Sequence, residues 1–111
     1  MQINGEHWDG LRVKGAIEYG IIVARAHYYE QLFSGDRFDG YPNFDHYRGE
    51  EVALRDLASR MNLEVLDWDK ARISGVLTLE HWIAERGEQQ SEEMVEFFEM
   101  VREGREDEWE V

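Results

Sequence analysis

The chain has no cysteine, one proline in 111 residues, and no run near the ~20 consecutive apolar residues that a membrane-spanning helix needs. Without cysteine there are no disulfides, no thiolate nucleophile and no cysteine-ligated zinc. Positive charge is also scarce, with 12 basic against 25 acidic residues and a formal net charge of −13. A domain that binds DNA or RNA presents a basic patch that releases counterions from the phosphate backbone, so direct nucleic-acid binding is not expected. Anionic membrane is disfavoured for the same reason, and basic proteins are the expected partners. The opening MQINGEHWDG lacks a basic region followed by an apolar run, so no secretory signal is expected and a cytoplasmic setting is.

At 42% apolar and 13% aromatic, the composition suits one domain with a core of its own. From Leu11 to Ser34, Val13, Ile17, Ile21, Ala24, Tyr28 and Leu32 recur at spacings of three and four, and Ile22, Tyr29 and Phe33 widen the stripe. This predicts a helix buried around much of its circumference, with Gly15 and Gly20 marking either the close approach of another helix or a later helix start. Residues 35–49 hold three glycines and the proline among Phe38, Tyr41, Phe44 and Tyr47, a pattern expected for a long, aromatic-anchored loop. Its acidic and amide residues do not follow the EF-hand order. Val52, Leu54, Leu57, Ala58 and Met61 then mark a second helix, opened by Glu50 and Glu51 where the helix dipole favours acid.

Leu63 to Trp68 reads as a connector, because no second strong strand is available to pair with it. Asp67 or Asp69 can cap a third helix whose Ile73, Val76, Leu77, Leu79, Trp82 and Ile83 fall largely on one side, and Gly87 is a natural stop. Ser91 can cap a fourth, with Met94, Phe97, Phe98 and Val101 on its core side. The expected fold class is all-α: a small bundle of about four helices near residues 12–33, 50–61, 69–86 and 91–103. Residues 1–104 form the expected single domain, and 105–111 an acidic, frayed tail.

Nine of the last twenty-one residues are acidic and two are basic. Glu92, Glu93, Glu96, Glu99 and Glu103 lie off the apolar stripe of the fourth helix, and Glu106, Asp107 and Glu108 follow it. Rows of carboxylates can occupy a groove built for phosphates, so these eight residues are the expected partner-binding surface. No catalytic residue, metal ligand or cofactor is assigned. The histidine–carboxylate spacings His27/Glu30, His46/Glu50 and His81/Glu85 suit helical surface pairs as readily as a metal site, and no metalloprotease, nucleophile-elbow or phosphate-loop pattern is present.

The stretch AIEYGIIVARAHYYEQLFS, residues 16–34, resembles a segment of the phage anti-restriction family typified by the overcome-classical-restriction protein. The likeness is carried by Ala16 and Ile17, then His27, Tyr28 and Tyr29, then Leu32, Phe33 and Ser34. The resemblance implies a small helical dimer whose carboxylates imitate the phosphates of bent DNA and block restriction enzymes. It also implies the host-cell cytoplasm as the setting for a phage-encoded chain. The expected function is therefore a small acidic inhibitor, not an enzyme, of a basic nucleic-acid-binding protein: a restriction enzyme, a CRISPR effector or a polymerase.

Other readings fit parts of the same sequence. Excess acid alone raises solubility. A helical accessory subunit would bind a protein partner through aromatic anchors, for which Trp8, Tyr41, Phe44, Tyr47 and Trp109 are candidates. A small helical enzyme or metal-binding domain would draw on the three histidine pairs.

Overall fold

The computed structural model describes the backbone of residues 2–3, 6–7, 10–34 and 44–109, and side chains over 11–34 and 45–109. Four helices account for almost all of it: α1, Gly10–Ser34; α2, Phe44–Arg60; α3, Trp68–Glu85; and α4, Glu92–Arg102. A short 3-10 turn, Glu106–Glu108, follows α4. The expected all-α bundle is what the chain forms. Among the described residues the one extended pairing is a two-residue antiparallel bridge, Gln2–Ile3 (β1) with Glu6–His7 (β2).

Local chemistry sets several boundaries. The Asp67 carboxylate caps α3 by accepting from the Lys70 amide at 2.8 Å, and the Ser91 hydroxyl caps α4 by accepting from the Met94 amide at 3.2 Å. Gly87 and Gly104 end α3 and α4 in the left-handed region, at φ +73° and +75°. Residues 63–67 form the expected connector, and Trp68, expected as its last residue, opens α3 instead.

A second boundary differs from the sequence reading. Helix α2 begins at Phe44 rather than near residue 50, so the last part of the supposed 35–49 loop is helical. Asp45 stands in its first turn, His46 pairs with Glu50 one turn on at 3.0 Å, and Gly49 is accommodated inside the helix instead of ending the loop. The rest of that loop, residues 35–43, lies outside the described residues. Within the expected tail, residues 105–109 include a local turn. Their 3-10 turn carries Trp109 onto Phe33, stacked with ring centroids 5.6 Å apart, and edge-on to Phe97 at 5.2 Å. An indole that finds aromatic surface seven residues beyond the end of α4 holds down a segment whose charges alone would favour water. Glu110 and Val111 lie outside the described residues.

Helix α1 is the spine. It packs along α2 and along α3, while α4 lies on α3. Toward its start, Val13, Ile17 and Ile21 meet Ala58 of α2 and Ala71 of α3, with Leu54, Leu63 and Leu66 beside them. Toward its end, Ala26, Tyr28 and Tyr29 join Val76, Leu79 and Ile83 of α3 and Phe97, Phe98 and Val101 of α4. Because α1 is what covers α2, the apolar stripe predicted for α2 is only half used: Ala58 is buried, while Val52 and Leu57 are exposed. On α3 the buried face is Ala71, Gly75, Val76, Leu79 and Ile83, and Ile73 and Leu77 point outward.

Glycine marks a close approach on α3, where Gly75 faces α1. A Cβ there would lie 2.7 Å from Arg25 Cγ and 3.1 Å from Arg25 Cβ. Gly20 is similarly tight against the Leu54 side chain, at 2.9 Å, whereas Gly15 meets nothing within 4 Å. The contrast is testable by urea unfolding. Gly15→Ala should stabilise the fold by about 0.5 kcal/mol through helix propensity alone. Gly75→Ala should destabilise it by about 1–3 kcal/mol, because overpacking against the root of Arg25 outweighs the same propensity gain.

Candidate functional site

On α4, successive residues advance about 100°, so Glu92, Glu96, Glu99 and Glu103 fall within a sector of about 60°. Met94, Phe97, Phe98 and Val101 fall on the opposite side, and Phe97, Phe98 and Val101 are buried. All five glutamates of the helix and its cap, Glu93 included, are exposed. The stripe runs about 16 Å along the axis, with steps of about 5–6 Å between carboxylate-bearing residues. Burial of the phenylalanines therefore fixes where the carboxylates point.

The eight acids expected to act together do not form one uniform surface. Glu92, Glu93, Glu96 and Glu99 make no ion pair or side-chain hydrogen bond among the described residues. Glu103 and Glu108 are both taken by Arg105, whose NH1 lies 2.7 Å from Glu103 Oε2 and whose Nε lies 2.9 Å from Glu108 Oε2. Asp107 is exposed. Glu106 turns the other way: it is half-buried, its Oε2 is enclosed, and it lines a cleft on the body of the protein.

That cleft, of about 210 Å³, is walled by Arg25 and Tyr28 of α1, Arg48 and Glu51 of α2, Trp68 and Arg72 of α3, and Glu106. At its base is a buried ion pair. Arg25 donates from Nε to Glu51 Oε1 at 2.6 Å and from NH2 to Glu51 Oε2 at 2.7 Å, and its NH1 donates to the Tyr29 hydroxyl at 2.8 Å. Arg55 donates to the same Glu51 Oε2 at 3.0 Å and to the Leu66 carbonyl at 2.8 Å. Both guanidiniums face the Trp68 ring, Arg55 at 4.0 Å and Arg25 at 5.5 Å. Burial works against the charge on Arg25, and the bonds to Glu51 and Tyr29 more than offset it, raising its pKa above the usual value. Burial likewise raises the Tyr29 phenol well above its ordinary range, although the charge of Arg25 opposes the shift.

Neither Arg25 nor Glu51 stood out as a site in the sequence. The available signal is an arginine inside the apolar run IIVARAHYY, on a helix expected to be buried around much of its circumference. A charge there requires a counter-charge from another element. Glu51 had been explained by the helix dipole, and it is buried instead.

The histidines have structural surroundings. His27 lies between Tyr47, stacked at 4.9 Å, and Trp82 at 4.8 Å, with Nδ1 3.5 Å from Glu30 Oε1. His81 pairs with Glu85 on the surface at 3.0 Å. Among the described residues no three His, Cys, Asp or Glu side chains are grouped to hold a metal ion, and no helix is long and apolar enough to cross a membrane. Of the aromatic anchors considered for an accessory subunit, Tyr47 and Trp109 are engaged inside the protein, while Trp8, Tyr41 and the Phe44 side chain lie outside the described residues. Comparison with protein-family models, with curated proteins and with solved structures found no match.

The ion pair makes two predictions. Glu51→Ala should lower stability by about 3 kcal/mol, because two arginines are left without their buried counter-charge. Asp56→Ala, which breaks the exposed Arg60–Asp56 pair at 2.9 Å, should cost less than about 1 kcal/mol. Urea midpoints compare the two. The second follows from Tyr29. Above about pH 10 the unfolded chain loses this phenolic proton while the folded chain keeps it, so stability falls as pH rises. Urea midpoints should decline between about pH 9 and 11, and Tyr29→Phe should flatten the decline.

Proposed function

We propose that the protein is an acidic inhibitor that uses carboxylates in place of nucleic-acid phosphates to occupy the basic groove of a nucleic-acid-binding protein, of the anti-restriction or anti-CRISPR type. The observation that carries this reading is the row of exposed carboxylates Glu92, Glu93, Glu96 and Glu99 on α4, which have no ion-pair partner among the described residues. Elsewhere, acids such as Glu51, Asp56, Asp69, Glu80 and Glu85 are matched by an arginine or histidine within the chain. Carboxylates kept only for solubility have no reason to gather on one helix. Here they gather on a helix whose other face is locked into the core, so they meet a partner already ordered and with little entropy left to lose.

The division found on the tail refines the partner-facing set. Glu92, Glu93, Glu96 and Glu99 form its centre. Glu103 and Glu108 contribute a weaker field because Arg105 stands between them. Glu106 belongs to the cleft. Each exposed carboxylate contributes little alone, and the summed field steers encounter and fills the groove.

The test uses the whole chain, immobilised and exposed to host lysate at low salt, beside a variant with Glu92, Glu96, Glu99 and Glu103 changed to glutamine. Glutamine keeps the size of each side chain and the helix. The parent should retain nucleic-acid-binding proteins that duplex DNA displaces. The variant should fold normally by circular dichroism and bind the retained protein at least about tenfold more weakly, a loss of roughly 1.4 kcal/mol. Binding should also weaken steeply with added salt, as an aromatic-anchored interface would not. Equal binding by parent and variant at low salt, or retention that DNA does not displace, would reject the mimicry.

A further inference from the structure

The cleft beneath the 3-10 turn has a charge pattern opposite to that of the protein around it. Its lining holds three guanidiniums and two carboxylates in a chain of net charge −13. One of those carboxylates, Glu51, is already saturated by Arg25 and Arg55. Two arginines of the lining have capacity to spare. Arg72 bonds Asp69 through NH1 at 2.9 Å, and its Nε is enclosed with no partner among the described residues. Arg48 lies over the Tyr28 ring at 5.7 Å and has no carboxylate partner among the described residues. The same lining holds an acceptor, the Glu106 carboxylate, whose Oε2 is enclosed and without a partner among the described residues.

A ligand suited to this cleft must therefore offer acceptor oxygens to arginine and, on the same small group, a hydrogen-bond donor to a carboxylate. Guanidinium donors match tetrahedral oxyanions well. A carboxylate or a sulfate meets the first demand and fails the second, because at neutral pH neither carries a proton to give Glu106. We propose that the cleft binds a phosphate group that retains an O–H, which donates to the Glu106 carboxylate while the remaining oxygens accept from the Arg72 and Arg48 guanidiniums that line it. At the base, Arg25 and Arg55 share the single carboxylate of Glu51, which leaves one net positive charge there. This site stands apart from the acidic face of α4, and neither reading depends on the other.

Two sources share this chemistry, and protonation separates them. Inorganic phosphate keeps an O–H across the neutral range, whereas a phosphomonoester loses its last one above a pKa of about 6. An inorganic-phosphate site should therefore bind inorganic phosphate at pH 7.5 and methyl phosphate only near pH 5.5. A phosphomonoester site adapted to the dianion would bind methyl phosphate equally well at both, and would overturn the role given to Glu106.

The experiment is titration of the full-length protein, at constant ionic strength, with sodium phosphate, methyl phosphate, sulfate and acetate in turn. It is followed by the arginine Nε–H signals in nitrogen-correlated NMR. Phosphate should give a saturable shift at Arg72 below about 20 mM, with sulfate and acetate at least about tenfold weaker. Arg72→Gln should weaken phosphate by at least about tenfold while circular dichroism stays unchanged. Glu106→Gln supplies a donor where the parent has an acceptor, so it should bring sulfate to within about threefold of phosphate. No saturable shift with phosphate, sulfate or acetate binding as well as phosphate in the parent, or an unchanged phosphate-to-sulfate ratio in Glu106→Gln would each overturn the proposal.

Discussion

Everything in this fold is arranged around the bidentate bond between Arg25 and Glu51. Helix α1 runs through both hydrophobic clusters, and Arg25 sits between its contributions to them, after Ile21 and before Ala26. An uncompensated guanidinium at that depth would be prohibitive, and Glu51 of α2 neutralises it. The same carboxylate then draws in Arg55, whose second bond goes to the Leu66 carbonyl of the connector. Arg55 also lies flat against Trp68 at the start of α3. One buried charge thus specifies the facing of α2, the path of the connector and the entry of α3. Apolar packing of Val13, Ile17 and Ile21 would tolerate several registers, whereas a two-pronged bond at 2.6 and 2.7 Å tolerates one.

The spine explains why α4 is free to carry so much acid. With α2 and α3 both on α1, α4 completes the core from the α3 side through Phe97, Phe98 and Val101, and nothing lies over its outer face among the described residues. A helix so placed needs only its inner half for stability. Its outer half is open to whatever sequence function requires, and the carboxylates there are aimed by the phenylalanines on the other side.

Much of this was legible because it depends on local chemistry. Asp67, Gly87 and Ser91 act where capping rules place them, and the two-faced pattern of α4 reads directly into the structure. What was not legible depends on which element lies next to which. The apolar stripes of α2 and α3 include Val52, Leu57, Ile73 and Leu77, which are exposed because these helices have fewer neighbours than a four-sided bundle supplies. Glu51 looked like a dipole residue and is an ion-pair partner 26 positions from Arg25. Periodicity records how apolar a face is, and it cannot record whether another helix arrives to cover it.

The tail shows the same limit with a functional consequence. Read as composition, residues 103–108 extend the acid of α4 into solvent, and all the carboxylates seem equivalent. In three dimensions Trp109 folds the segment back onto Phe33 and Phe97, which inverts Glu106 into the arginine cleft and leaves Arg105 bridging Glu103 and Glu108. The acid is thereby sorted by its surroundings. Glu92, Glu93, Glu96 and Glu99 are exposed and meet no cation among the described residues, so their field is directed outward. Downstream, Arg105 engages Glu103 and Glu108, Glu106 lines the arginine cleft, and Asp107 is exposed. A charge run in a sequence is a supply of field, and the hydrophobic anchor at its end decides in which direction that field is applied.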